Sequence, residues 1–104
     1  MPRPMIDRSL ASFQPNAAEA AALLKELSNE KRLMILCKLF EHGEMSVMAL
    51  CGEVGLSQSA LSQHLARLRE RNIVGFRRAA QQIFYRVADP RVRRILSTLK
   101  DIYC

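Results

Sequence analysis

A mainly α-helical domain with one small β-hairpin is predicted by three observations. The stretch SVMALCGEVGLSQSALSQHLARLRER, residues 46–71, reads as two helices joined by a tight turn. In the second of these, Leu61, Leu65 and Leu68 recur at i, i+4 and i+7, the spacing of one buried stripe. Two β-like runs follow at once, IVGFRR (73–78) and QQIFYRV (81–87), the second alternating between Ile83, Tyr85, Val87 and Gln82, Phe84, Arg86. A helix-turn-helix followed directly by a hairpin is a winged helix-turn-helix, here in the order α-α-α-α-β-β-α.

Residues 1–15 hold three of the four prolines and are expected to form a flexible tail, partly helical near Leu10 to Phe13. The domain is expected over 16–104. Asn16 is a candidate cap for an Ala-rich first helix, NAAEAAALLKELS, of high helix propensity. Asn29 can cap the second, EKRLMILCKLFEH, with Glu30 near its positive end. Its wide apolar stripe of Leu33, Leu36, Cys37 and Phe40, extended by Met34, Ile35 and Leu39, marks the central helix of the core. Gly43 ends it. The third helix runs from about Ser46 to Val54. Gly55 permits the positive φ that terminates it, and Ser57 caps the fourth. Asn72 suits a left-handed terminator. The hairpin joint, Ala79-Ala80, lacks the usual Gly or Asn, so its turn type is not assignable. Asp89 caps the last helix, PRVRRILSTLKDIYC, with Pro90 at its first position.

With 104 residues the chain has room for one modest core. No apolar run approaches the ~20 residues that span a bilayer, and MPRPMIDRSLASFQP has no continuous apolar segment of a secretory signal. A cytoplasmic protein without a membrane partner is expected. Residues 1–56 carry six Lys/Arg and seven Asp/Glu, for −1; residues 57–78 carry five and one, for +4; residues 79–104 carry five and two, for +3. Positive charge therefore begins at the fourth helix, and a polyanion is the simplest partner.

On that helix Ser59, Gln63 and Arg67 fall at i, i+4 and i+8, flanked by Gln58 and Ser62. Uncharged hydrogen-bonding side chains with an arginine are what reading base edges in a major groove requires. An ordinary helical hairpin with a solvated polar face would share this pattern; the charge asymmetry favours duplex DNA. Arg77, Arg78, Gln81 and Gln82 at the wing tip suit phosphate or minor-groove contact. His64, between the apolar and polar faces, is expected to be structural or to meet phosphate. The first and last helices both carry apolar faces, the last through Val92, Ile95, Leu96, Leu99, Ile102 and Tyr103. One small core cannot cover both. A homodimer pairing its terminal helices, on a palindromic operator, solves this.

Cys37, Cys51 and Cys104 form no Cys-x-x-Cys pair and no disulfide framework. By spacing alone Cys37 is a small core hydrophobe, Cys104 a terminal bystander, and Cys51 core or incidental. Met45 and Met48 are read as packing. A small thiol enzyme, such as a sulfur transferase or peroxidase, would need an activated cysteine beside a fixed base; no such constellation is legible, and no cofactor is implied.

The order of elements, with LSNEKRLMILCKLF, LSQSALSQHLARLRERNIV and QQIFYRV, resembles the ArsR (SmtB) family of winged-helix repressors over about residues 17–104. SQSALSQHLARLRE is the most specific part. The resemblance implies a homodimeric transcriptional regulator answering to a small inducer, with Gln58, Ser59, Ser62, Gln63 and Arg67 facing the major groove. The metal sites of the family are expected to be absent. Its helix-3 cysteines fall on Ser46 and Met48; of the helix-5 ligands Asp89 remains, but the histidine positions fall on Arg91 and Ile102. Cys37 and Cys104 match a branch that includes BigR-, SqrR-, YgaV- and HlyU-like regulators. That branch implies a dithiol reacting with reactive sulfur species or oxidants. Other outcomes within the resemblance are an unrelated effector (a metal or a partner protein), no effector, or antirepression of virulence genes.

Overall fold

A computed structural model of the chain describes residues 10–104. Of the expected tail, residues 1–9 lie outside this range. Leu10 to Phe13 are helical and run through a 3-10 turn, Gln14–Asn16, into α1 (Ala17–Leu27). Asn16 is therefore not a cap. Its side chain makes no capping bond; the 3-10 turn runs straight into the helix, with the Ala17 N–H donating to the Gln14 carbonyl.

The other helix starts follow their caps. Asn29 Oδ1 accepts the Arg32 N–H at 3.0 Å to open α2 (Glu30–His42). Ser46 Oγ accepts from Ala49 to open α3 (Val47–Val54), and Ser57 Oγ accepts from Ala60 to open α4 (Gln58–Glu70). Asp89 Oδ1 accepts the Arg91 N–H at 2.8 Å and Pro90 begins α5 (Pro90–Tyr103). Each cap satisfies a donor that has no partner within its helix. Gly55 and Asn72 both adopt positive φ, 68° and 61°, and so close the two halves of the helix-turn-helix.

The sheet has three antiparallel strands in the order β1-β3-β2: β1 (Met45–Ser46), β2 (Val74–Ala79) and β3 (Gln82–Val87). The short β1 was not legible, since two residues carry no period. It exists because Met45 pairs with Tyr85 and Ser46 with Phe84. In the hairpin Ala79 pairs with Gln82, so the joint is Ala80-Gln81 and not Ala79-Ala80. Ala80 takes φ 57°, the conformation a two-residue hairpin demands and glycine usually supplies.

One core joins these elements. Leu61, Leu65 and Leu68 of α4 are buried against Leu50 of α3 and Ile35, Leu36 and Leu39 of α2. The α2 stripe is thus split. Ile35, Leu36 and Leu39 fill the core, whereas Leu33, Cys37 and Phe40 are half-buried on its edge and Met34 is exposed. Tyr85 and Val87 point inward from β3, and Val92 and Leu96 do so from α5.

Candidate nucleic-acid interface and thiol cavity

With its leucines inward, α4 turns Gln58, Ser59, Ser62 and Gln63 to the exterior, all exposed. The turn before it is fixed by the Gly55 conformation and the Ser57 cap. The outer face is therefore presented on a rigid element. A shallow cleft of about 190 Å³ runs from Ser46, Val47 and Met48 at the start of α3, past Gln58, to Gln81, Gln82 and Ile83 of the wing. The start of α4 and the wing tip thus share one side of the molecule. Met48, expected to pack, is instead 70% exposed beside this cleft, while Met45 is buried in the core as expected. Arg78 and Gln81 are exposed on the wing.

Three of the predicted residues sit apart from that uncharged strip. His64 is half-buried; burial, and then the charge of Arg32, push its pKa down, which favours the neutral ring. Arg67 does not project freely. Its Nε donates to Glu26 Oε1 at 2.8 Å and its Nη2 to Oε2 at 3.1 Å. Arg71 approaches the same carboxylate at 3.5 Å, and Arg32 Nε donates to the Glu26 carbonyl at 2.7 Å. Glu26 is only 2% exposed, and the Arg67 hydrogen bonds outweigh burial to hold its carboxyl below the usual range. Glu26 was missed from the sequence, although it lies beside Leu23 and Leu27 on the inward side of the first helix. A carboxylate on an apolar stripe calls for a cationic partner. Arg77 is likewise paired, donating two hydrogen bonds to Glu44 while its guanidinium lies over Phe84.

The thiols have a separate location. Between α2 and α5 lies a cavity of about 280 Å³, walled by Leu33, Phe40, Leu96 and Leu99, with Glu41, Lys100 and Tyr103 also lining it. Cys37 and Cys104 line this same cavity. Cys37 is half-buried and Cys104 exposed; both are free thiols. Burial first, then Cys104 and Glu41, push the Cys37 thiol pKa up. Cys51, on α3, does not line the cavity.

The one ligand-type residue retained from the helix-5 metal pattern, Asp89, is committed elsewhere. Arg91 donates to both of its oxygens and to Glu19 Oε2 at 2.7 Å, so a guanidinium ties α5 to α1. Among the described residues no group of three or more His, Cys, Asp or Glu could hold a metal ion, and no helix is long and apolar enough to cross a membrane.

Comparison with known proteins gives a consistent picture. A model of the bacterial regulatory protein arsR family matches residues 29–75. The chain is 46% identical over 95 residues to the HTH-type transcriptional regulator YgaV of Escherichia coli, covering 91% of this chain and 96% of YgaV. It is 44% identical over 96 residues to the transcriptional activator HlyU of Vibrio cholerae, covering 92% and 88%. The crystal structure of the transcriptional repressor BigR from Xylella fastidiosa superposes with a TM-score of 0.84, at 42% identity, over 90% of this chain and 95% of BigR.

Proposed function

The chain belongs to the arsR family of bacterial regulatory proteins, a DNA-binding regulator and not an enzyme, and from that starting point we propose a homodimeric repressor whose grip on a palindromic operator is switched by the Cys37/Cys104 dithiol. The single observation that carries the switch is the shared cavity: two of the three cysteines line it, Cys37 on α2 and Cys104 directly after α5.

Helix α2 contributes Ile35, Leu36 and Leu39 to the core beneath α4, whereas α5 carries exposed Ile102 and Tyr103 near its end. Leu10, Phe13 and Leu24 are also exposed at the opposite end of the sequence. Large apolar side chains left on both terminal elements favour pairing of two copies there. A covalent tie from α2 to α5 would then link the core under the reading helix to the dimer contact. In the dimer, Gln58, Ser59, Ser62 and Gln63 enter the major groove, and the wing residues Arg77, Arg78 and Gln81 meet the flanking backbone. Arg67 serves chiefly to hold α4 through Glu26, and His64 supports the helix from its side.

The inducer is a reactive sulfur species or an oxidant. With an organic polysulfide, the thiolate of one cysteine attacks a sulfur and expels a thiolate. The second cysteine then attacks the retained sulfur and expels another. For a trisulfide attacked at its central sulfur, that sulfur stays in a Cys–S–S–S–Cys bridge and both outer sulfurs leave as thiols, so the two cysteine thiols are oxidised as the trisulfide is reduced. Moving a repressor from mostly bound to mostly free takes on the order of 5 kcal/mol of differential affinity.

The test is mass spectrometry of the protein treated with polysulfide, peroxide or diamide, alongside operator binding. A Cys37–Cys104 link and loss of DNA retention are expected. Cys37→Ser or Cys104→Ser should each abolish the response while leaving reduced-state binding intact, and Cys51→Ser should change neither. Normal release of DNA by treated Cys104→Ser protein would rule out the dithiol switch.

A further inference from the structure

Glu44 stands between α2 and β1 and receives the whole fork of Arg77: Nε donates to Oε2 at 2.7 Å and Nη2 to Oε1 at 2.8 Å. The same guanidinium lies 4.9 Å from the ring centre of Phe84, the cross-strand neighbour of Arg77. Arg86, on β3, adds a second positive charge. The Arg77 hydrogen bonds and both charges hold the Glu44 carboxyl below its usual range, so it is ionised at neutral pH. A carboxylate accepts an arginine fork in the two-pronged geometry that a phosphate also uses.

We infer that Glu44 is an internal phosphate mimic that sets DNA specificity: it occupies Arg77 in the free protein and is displaced by a backbone phosphate when the operator docks. The inference rests on the reading of the wing as a phosphate-contacting element. The pair is open to competition, with the Arg77 side chain 53% and the Glu44 side chain 33% exposed. A pair this exposed is weak in water and yields to a phosphate held in register. The Glu26–Arg67 pair has a buried carboxylate and does not offer this exchange.

The consequence is unequal between duplexes. Binding to random sequence depends almost wholly on phosphate contacts, so an arginine withheld by Glu44 weakens it directly. On a cognate duplex the contacts of α4 fix the register, and a phosphate stays opposite Arg77 long enough to complete the exchange. Glu44 therefore lowers non-specific affinity more than cognate affinity.

The experiment measures affinity against salt concentration for the full chain, Glu44→Gln, Glu44→Ala, Arg77→Ala, and each Glu44 change combined with Arg77→Ala. The probes are a random-sequence duplex and a duplex selected from a random pool for tight binding to the native protein. Glu44→Gln should tighten the random duplex by up to about fivefold, steepen its log–log salt slope by about 1, and narrow the cognate-to-random ratio. Glu44→Ala should give the same pattern, and in the Arg77→Ala background either change should have no effect. Equal tightening of both duplexes, or tightening that persists without Arg77, is a generic charge effect and overturns the mimic. Arg77→Ala that weakens binding while Glu44→Gln is inert overturns the mimic alone. Arg77→Ala that alters neither affinity nor slope overturns the wing reading beneath it.

Discussion

The Arg67 guanidinium, on the recognition-type helix α4, closes both of its hydrogen bonds on the buried carboxylate of Glu26 in α1. A side chain on the polar face of α4 thus braces that helix against α1. Truncating it leaves a buried carboxylate that keeps only the more distant Arg71 and the nearby charge of Arg32. Arg67→Ala should therefore cost about 1–3 kcal/mol of stability, measured by urea unfolding. Its effect on DNA binding should be similar for cognate and random duplexes.

The same carboxylate makes stability depend on pH. Arg67 holds the Glu26 pKa in the folded chain below its unfolded value. Its contribution is therefore fully present above the unfolded pKa, roughly 4.3, and is lost as pH falls through the folded pKa. Asp89, held low first by Arg91, and Glu44, held low first by Arg77, act in the same direction. Thermal melting should show a plateau near neutrality and a fall beginning below about pH 4.5. Glu26→Gln should flatten part of that fall; an unchanged acid limb would remove Glu26 from the account.

Gln63 and Arg78 should separate sequence reading from backbone contact. Gln63→Ala is expected to cost about 1–3 kcal/mol on the cognate duplex and to relax specificity there. Arg78→Ala should weaken every duplex alike and reduce the salt slope by about 1. Equal losses on cognate and random DNA for Gln63→Ala would contradict the groove assignment.

The two cavity thiols should differ in reactivity. Cys104 is exposed, whereas Cys37 is half-buried with its pKa pushed up by burial and by Cys104 and Glu41. Because the thiolate is the nucleophile, iodoacetamide should label Cys104 first at neutral pH. Labelling of Cys37 should keep rising above about pH 8.5, the ordinary thiol range. Peptide mass spectrometry with time and pH reads both, and equal rates at pH 7 would count against the cavity environment.

Ala80 offers a test of local strain. It holds φ 57° at the wing turn, a conformation that costs a side chain free energy and glycine nothing. Ala80→Gly should stabilise the chain by about 0.5–1 kcal/mol, the relief of strain being partly offset by glycine's extra freedom when unfolded. The reading of cognate DNA should be unchanged.

What the sequence determined by itself is what depends on near neighbours along the chain. The Asn29, Ser57 and Asp89 caps, the Gly55 and Asn72 terminators, and the Leu61/Leu65/Leu68 stripe involve residues at most seven positions apart. Their geometry follows from helix periodicity and local hydrogen bonding, so the elements and the outward strip from Gln58 to Gln63 were legible. Asn16 failed as a cap even at this range, because the turn before it was itself helical and left no gap to cap. Tertiary structure decided the rest. Arg67 meets Glu26 across 41 residues and Arg77 meets Glu44 across 33, and β1 is a strand only because Tyr85 and Phe84 lie beside it. The cavity shared by Cys37 and Cys104 likewise needs α2 and α5 packed side by side. A charged side chain takes whichever opposite charge the folded core brings within reach, and no periodicity along the chain encodes that distance.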